Sequence, residues 1–118
     1  MTLAQFKSYC LGKPGVTEEF PFDFTTMVFK VGGKIFALTD INDDPLRLSF
    51  KCEPMFAVSL RQDYPAIIPG YHLNKQHWNT LVLDGSLSDK LLKDLIDHSY
   101  SLVFKSLTKT IQAQISSS

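Results

Sequence analysis

Near the start of the chain, apolar residues recur at helical spacing: Leu3, Phe6 and Cys10 fall on one side of a helix. Thr2 followed by Gln5 forms a capping-box pattern, and Gly12 then Pro14 supply a stop, so the pattern predicts a helix over Leu3–Leu11. The period then changes to two. Residues 25–31 and 34–39 are rich in β-branched and aromatic side chains and are separated by Gly32-Gly33, which predicts a tight hairpin. A two-residue turn sets Phe29 opposite Phe36 and Met27 opposite Leu38 on a core-facing side, with Val28, Lys30, Ile35 and Ala37 on the other. After a turn-rich loop at 40–45, Leu46, Leu48, Phe50 and Cys52 alternate with Arg47, Ser49 and Lys51. This third strand has one apolar and one basic face.

Pro54 suits the first position of a helix whose Phe56, Ala57, Leu60 and Tyr64 share a side, with Arg61 near its end and Pro65 terminating it. A loop containing Pro69-Gly70 leads through residues 71–77 to a strand over 78–83. Ser86 with Asp89 is a second capping-box pattern, and a broad apolar stripe from Leu91 to Phe104 predicts a long helix over residues 87–107. The order α-β-β-β-α-β-α predicts an α+β fold, an antiparallel sheet with helices packed on one face. Residues 1–107 are read as one domain. Residues 108–118 lose aromatics and close on three serines, a tail expected to fray.

Composition narrows the function. With 118 residues, 44% of them hydrophobic, the chain builds one core and is too short for a multi-domain enzyme. Twelve basic and twelve acidic residues cancel, so any polyanion site must be local. No apolar stretch approaches the roughly 20 residues that span a bilayer, and the N-terminus lacks the order of a signal peptide. A cytoplasmic protein with no membrane partner, acting as a monomer, is expected. Cys10 and Cys52 have no CxxC spacing and read as two reduced thiols.

Charge is uneven along the chain. Residues 1–45 hold four basic and six acidic side chains, 46–83 hold four and two, and the remainder four and four. The basic middle segment contains His72-Leu73-Asn74-Lys75-Gln76-His77-Trp78, the densest polar constellation. Asn can read a base edge, Lys can neutralise a phosphate, and His or Trp can stack on an unpaired base. The same Trp78 also suits a core position at the start of a strand. His72 and His77 lie five apart with no Cys or Glu between them and His98 sits in the last helix, which matches no zinc pattern. Neither a metal nor a cofactor is expected. Cys10 and Cys52 sit on apolar stripes and read as packing residues rather than nucleophiles. Glu18-Glu19 and Asp43-Asp44 read as solvated loop acids, and no phosphate-cradling glycine motif occurs. The chain is therefore expected not to be an enzyme. The alternative of lowest standing is a small-molecule site at the sheet edge, lined by His77 and Cys52.

The ordered motifs carry a family resemblance over about residues 3–107. They are Tyr9-Cys10 with Lys13-Pro14-Gly15, then Phe29-Lys30-Val31 followed by Lys34-Ile35-Phe36-Ala37, and Lys51 ahead of Pro54. His72-Leu73-Asn74-Lys75 with His77-Trp78, continuing to Leu83-Asp84-Gly85-Ser86-Leu87, completes the set. This order resembles the YjbR/MmcQ family of small bacterial proteins. The resemblance implies a CyaY-like, double-wing α+β fold and a DNA-binding protein without enzyme activity or cofactor. Carried over by position, its polar site comprises His72, Asn74, Lys75, His77 and Trp78, to which the residue-level reading adds Lys51 and Arg61 as phosphate contacts. The alternative is a protein-interaction module using the same surface or the open sheet face of Val28, Lys30, Arg47 and Lys51.

Overall fold

The computed structural model describes residues 1–117. Helix α1 (Leu3–Leu11) begins with the expected capping box: Thr2 Oγ1 accepts from the Gln5 amide at 3.1 Å, and Gln5 Oε1 accepts from the Thr2 amide at 2.8 Å. Strands β1 (Val16–Glu19), β2 (Thr26–Val31), β3 (Lys34–Asp40) and β4 (Arg47–Lys51) follow. Helix α2 (Pro54–Asp63), strands β5 (Ile67–Pro69) and β6 (Trp78–Val82), and helices α3 (Asp89–Ser106) and α4 (Lys109–Ser116) complete the order. All strand pairs are antiparallel, and the sheet runs β1-β2-β3-β4-β6-β5. The fold is α+β.

The structure adds three elements to the expected order. Both extra strands are short edge strands, β1 and β5. The acids read as loop residues, Glu18 and Glu19, sit in β1, where they pair with Lys7 at 3.1 Å and Lys30 at 3.2 Å. Charges of this kind are a common guard on an edge strand. The tail expected to fray forms α4. Thr108 caps it by accepting from the Ile111 amide at 3.2 Å, and Ile111 and Ile115, one turn apart, pack against the core. Ile115 approaches Gly15 so closely that a Cβ there would lie 2.9 Å from its Cγ2.

The hairpin forms on Gly32 (φ +57°) and Gly33 (φ +80°), as its turn requires. Its register differs from expectation beyond the first two pairs. Lys30 faces Ile35, but Phe29 faces Ala37, Val28 faces Leu38 and Met27 faces Thr39. Phe36 is the extra residue of a bulge, which shifts every later side chain of β3 by one position. Ala37 therefore joins the core, and Leu38 turns to the opposite side of the sheet.

The core lies between the sheet and the helices. Phe6 of α1 meets Phe29 edge-on at 5.3 Å between centroids and lies 6.0 Å from Phe50. Helix α3 contributes Leu92, Leu95, Ile96 and Val103. It is capped by Ser88 rather than Ser86, whose hydroxyl and amide both donate to Asp84. Ser99, fully buried, ties α3 to two strands by donating to the Phe36 carbonyl at 2.5 Å and accepting from the Lys51 amide at 2.9 Å. Among the described residues, no helix packs on the other face of the sheet.

Candidate ligand groove on the open sheet face

Side-chain alternation assigns the open face. Because Leu48 and Phe50 point into the core, Arg47, Ser49 and Lys51 of β4 point away from it. Opposite them on β6 stand Val82, Thr80 and Trp78. Leu38 of β3 faces Ser49, and Val28 of β2 faces Leu38. The sheet itself thus brings Lys51 and Trp78 together as cross-strand neighbours.

A groove of about 350 Å³ lies on this face. Leu38, Ser49, Thr80 and Thr26 form its floor, Phe22 one wall, and Tyr71, His72 and Leu73 the other. Ser49 and Thr80 hydroxyls lie 2.8 Å apart, and Thr80 Oγ1 accepts from the Tyr71 amide at 3.0 Å, which fixes the second wall to the floor. The Tyr71 and His72 rings lie 4.0 Å apart between centroids at a tilt of 52°, and the Arg47 guanidinium lies 5.0 Å from the Tyr71 ring centre. Arg47 also pairs with Asp43 at 3.3 Å. Asp40 lines the same end; its Oδ1 accepts from the Asn42 amide at 2.9 Å, and its other oxygen has no hydrogen-bond partner among the described residues.

The first wall belongs to the loop between β1 and β2. Asp23 accepts from the Thr25 amide at 2.9 Å, the Thr26 amide at 2.6 Å and the Thr26 hydroxyl at 3.0 Å, and these bonds hold its carboxyl below the usual range. The loop presents Phe22 and Phe24 with 67% and 96% of their surface exposed. Residue-level patterning missed this loop because Phe20, Phe22 and Phe24 alternate as strand residues do, yet face solvent. Pro21 between them was the available signal.

The structure brings the sequence-predicted residues together in part. Lys51 and Trp78 are half-buried on the open face, and Lys51 pairs with no carboxylate among the described residues. His72 and Asn74 are exposed on the loop between β5 and β6, and His77 is half-buried at its end. His72 takes φ +58°, a conformation uncommon outside glycine. Asn74 spends its carboxamide oxygen on the Gln76 amide at 2.9 Å. The Lys75 ammonium donates to the Gly70 carbonyl at 3.0 Å. Arg61 lies on the helical side and reaches round the sheet edge, donating to the Lys75 carbonyl at 2.9 Å and to Asn79 Oδ1 at 3.2 Å. Lys75 and Arg61 thus fasten the loop that walls the groove.

Burial pushes the Cys10 thiol up to about 12 and the Cys52 thiol up to about 11, which keeps both protonated at neutral pH. Between α1 and α3, an open concavity of about 460 Å³ contains Tyr9, Lys13 and Lys93. Most of its charges have partners there: Lys13 pairs with Asp97, to which the Tyr9 hydroxyl also donates at 2.7 Å, the Met1 ammonium pairs with Asp89 at 3.0 Å, and the Lys93 ammonium lies 5.5 Å from the Tyr9 ring centre. Among the described residues, no three His, Cys, Asp or Glu side chains converge on a metal position, and no helix is long and apolar enough to cross a membrane.

Comparison with known proteins places this architecture. The family model described as YjbR matches residues 11–102. An uncharacterised protein YjbR of Escherichia coli is 37% identical over 100 residues, covering 85% of each chain. An uncharacterised Escherichia coli protein YbdF is 38% identical over 110 residues, covering 92% of this chain and 89% of the relative. The crystal structure of Deinococcus radiodurans protein DR2400, with a DUF419 domain, superimposes with a TM-score of 0.93 at 46% identity over 98% of this chain and 88% of that one. A protein from Pseudomonas syringae superimposes with a TM-score of 0.76 at 32% identity over 87% of this chain and 99% of that one. By sequence and by fold, the chain belongs to the YjbR family.

Proposed function

We propose that this protein is a non-catalytic DNA-binding protein that takes single-stranded DNA on the open face of its sheet. The observation that carries the proposal is the groove itself, an aromatic-walled trough beside the Lys51–Trp78 pair on the helix-free face. Phe22, Tyr71 and Trp78 offer ring faces, and stacking a base on an aromatic side chain is worth about 1–3 kcal/mol. The cations are few. Lys30 and Arg47 are already paired with Glu19 and Asp43, and Lys51 pairs with no carboxylate among the described residues. That balance favours a strand held by its bases over a duplex held by its phosphates. The HLNKxHW segment contributes through the loop it builds, with His72, Asn74, Lys75 and His77 along the rim. The Ser49 and Thr80 hydroxyls bond each other and a backbone amide, and the Asp23 carboxylate that takes the Thr26 hydroxyl is already held by two backbone amides, an arrangement that supports binding over catalysis. Free thiols suit a reducing compartment, in keeping with a cytoplasmic setting.

Fluorescence anisotropy with labelled single-stranded and double-stranded oligonucleotides tests the proposal. Single strands are expected to bind more tightly than duplex, weakening about 20-fold between 50 and 200 mM salt if about three phosphates are contacted. Phe22→Ala and Tyr71→Ala should each weaken binding at least fivefold, the lower end of one stacking interaction. No anisotropy change with either oligonucleotide at 50 mM salt would overturn the proposal. In that case the second reading would stand, a protein segment in the same groove, favoured by the solvent-facing ring of Phe24 beside it.

A further inference from the structure

We infer that the groove is a base-selective pocket that seats one base bearing an exocyclic amine, such as cytosine, from the bound strand, with the Asp40 carboxylate accepting from that amine. The inference rests on the single-strand reading above and adds what that reading leaves open, which base the groove prefers.

Three observations lead there. First, the groove has the volume of a small-molecule pocket, about 350 Å³, rather than that of a shallow sheet surface. Second, aromatic side chains line it, Phe22 from the loop before β2 and Tyr71 from the loop after β5, which suits a planar occupant. Third, its polar end is built to accept. Asp43 and Arg47 satisfy each other, so the charge left over at that end is Asp40. The Asp40 backbone turn uses Oδ1 for the Asn42 amide, and the other oxygen has no hydrogen-bond partner among the described residues.

A carboxylate in that position repels a phosphate, so the strand must present a base to it. Cytosine offers an N4 amine that donates to a carboxylate; uracil offers an O4 oxygen at the same place, which puts two acceptors together. The two pyrimidines otherwise have the same ring and size. A hydrogen bond to a charged group in a walled site discriminates by about tenfold or more.

The test compares oligo-dC with oligo-dU of equal length by anisotropy, using the wild-type chain and Asp40→Asn. Asparagine keeps an oxygen for the Asn42 amide, so the turn is preserved, and replaces the free acceptor with a donor. Wild type is expected to bind oligo-dC about tenfold more tightly, and Asp40→Asn to lose or reverse that preference. Phe22→Ala should weaken both oligonucleotides alike and serves as a second variant that removes a wall without touching the selecting group. Equal wild-type binding of the two oligonucleotides would refute base selection and leave the single-strand reading intact. A cytosine preference that survives Asp40→Asn would refute Asp40 as its source. Failure of both oligonucleotides to bind would remove the pocket assignment along with the reading it rests on.

Discussion

Arg61→Ala separates a phosphate contact from a loop fastener. Arg61 donates to two acceptors in different surroundings: the Lys75 carbonyl on an exposed loop, and Asn79 Oδ1, whose residue is 2% exposed. Truncation leaves water free to replace the first bond, at little cost. The second has no such replacement. The Asn79 carboxamide is held in place because its nitrogen donates to the Ala57 carbonyl at 3.2 Å, so its oxygen cannot turn away to find another donor. A buried acceptor left unpaired costs about 1–3 kcal/mol, and the lost packing of the arginine stem adds to it. About 2 kcal/mol is expected. For a chain of this length that lowers the melting temperature by about 8 °C. Thermal unfolding followed by circular dichroism measures it, and amide exchange should show faster opening of residues 70–78. The DNA titration should keep its salt slope. A melting shift below about 2 °C, together with a single-strand salt slope reduced by about 0.7, would show that Arg61 works on a phosphate and that the fastening argument is wrong.

Two further outcomes follow from side-chain surroundings elsewhere. His98 accepts from the Glu53 amide through Nε2 at 3.2 Å, stacks edge-on against Phe56 at 5.2 Å, and has its pKa lowered by burial, with Glu53 opposing and Lys105 reinforcing the shift. The unfolded chain takes up the proton near pH 6.5 and the folded chain at lower pH, so this stabilisation is complete above 6.5 and is lost as pH falls through the folded value. The urea midpoint should drop between pH 7 and 5.5, and His98→Asn should flatten that drop; an unchanged slope in the variant would count against it. At the hairpin, a Cβ on Gly32 would lie 2.6 Å from Leu107 Cδ1, whereas one on Gly33 would meet nothing within 4 Å, and both positions have positive φ. Gly32→Ala should therefore destabilise by about 1 kcal/mol more than Gly33→Ala in urea titrations; equal losses would show that Leu107 yields freely.

Where local chemistry decides structure, the sequence was legible. The capping box at Thr2, Pro54 at the start of α2, the paired glycines of the hairpin and the apolar stripe of α3 each carry their own explanation, and each forms as expected. What stayed hidden depends on partners distant along the chain. Strand β1 exists because β2 offers it an edge, and β5 because β6 does; four and three residues are too few to show a period of their own. Helix α4 is stable because Ile111 and Ile115 find the core and Gly15 leaves room for Ile115. The bulge at Phe36 is a tertiary choice of the same kind, since its carbonyl receives the Ser99 hydroxyl from α3.

The groove shows why a list of polar residues was an incomplete guide to the site. Lys51, His72 and Trp78 were singled out by residue type and do border the open face or its rim. Arg61, Asn74 and Lys75 were chosen on the same grounds, but their donors and acceptors are used in shaping the 70–78 loop. The groove residues that composition passed over, Phe22, Leu38, Asp40 and Tyr71, come from three separate segments and meet only after the bulge turns Leu38 outward and Thr80 holds the Tyr71 amide. A cation with two protein acceptors serves the wall, whereas a ring or a carboxylate oxygen without a partner is available to a ligand. That difference in commitment, which only the folded hydrogen-bond network reveals, moves the centre of the proposed site from the basic loop to the sheet beneath it.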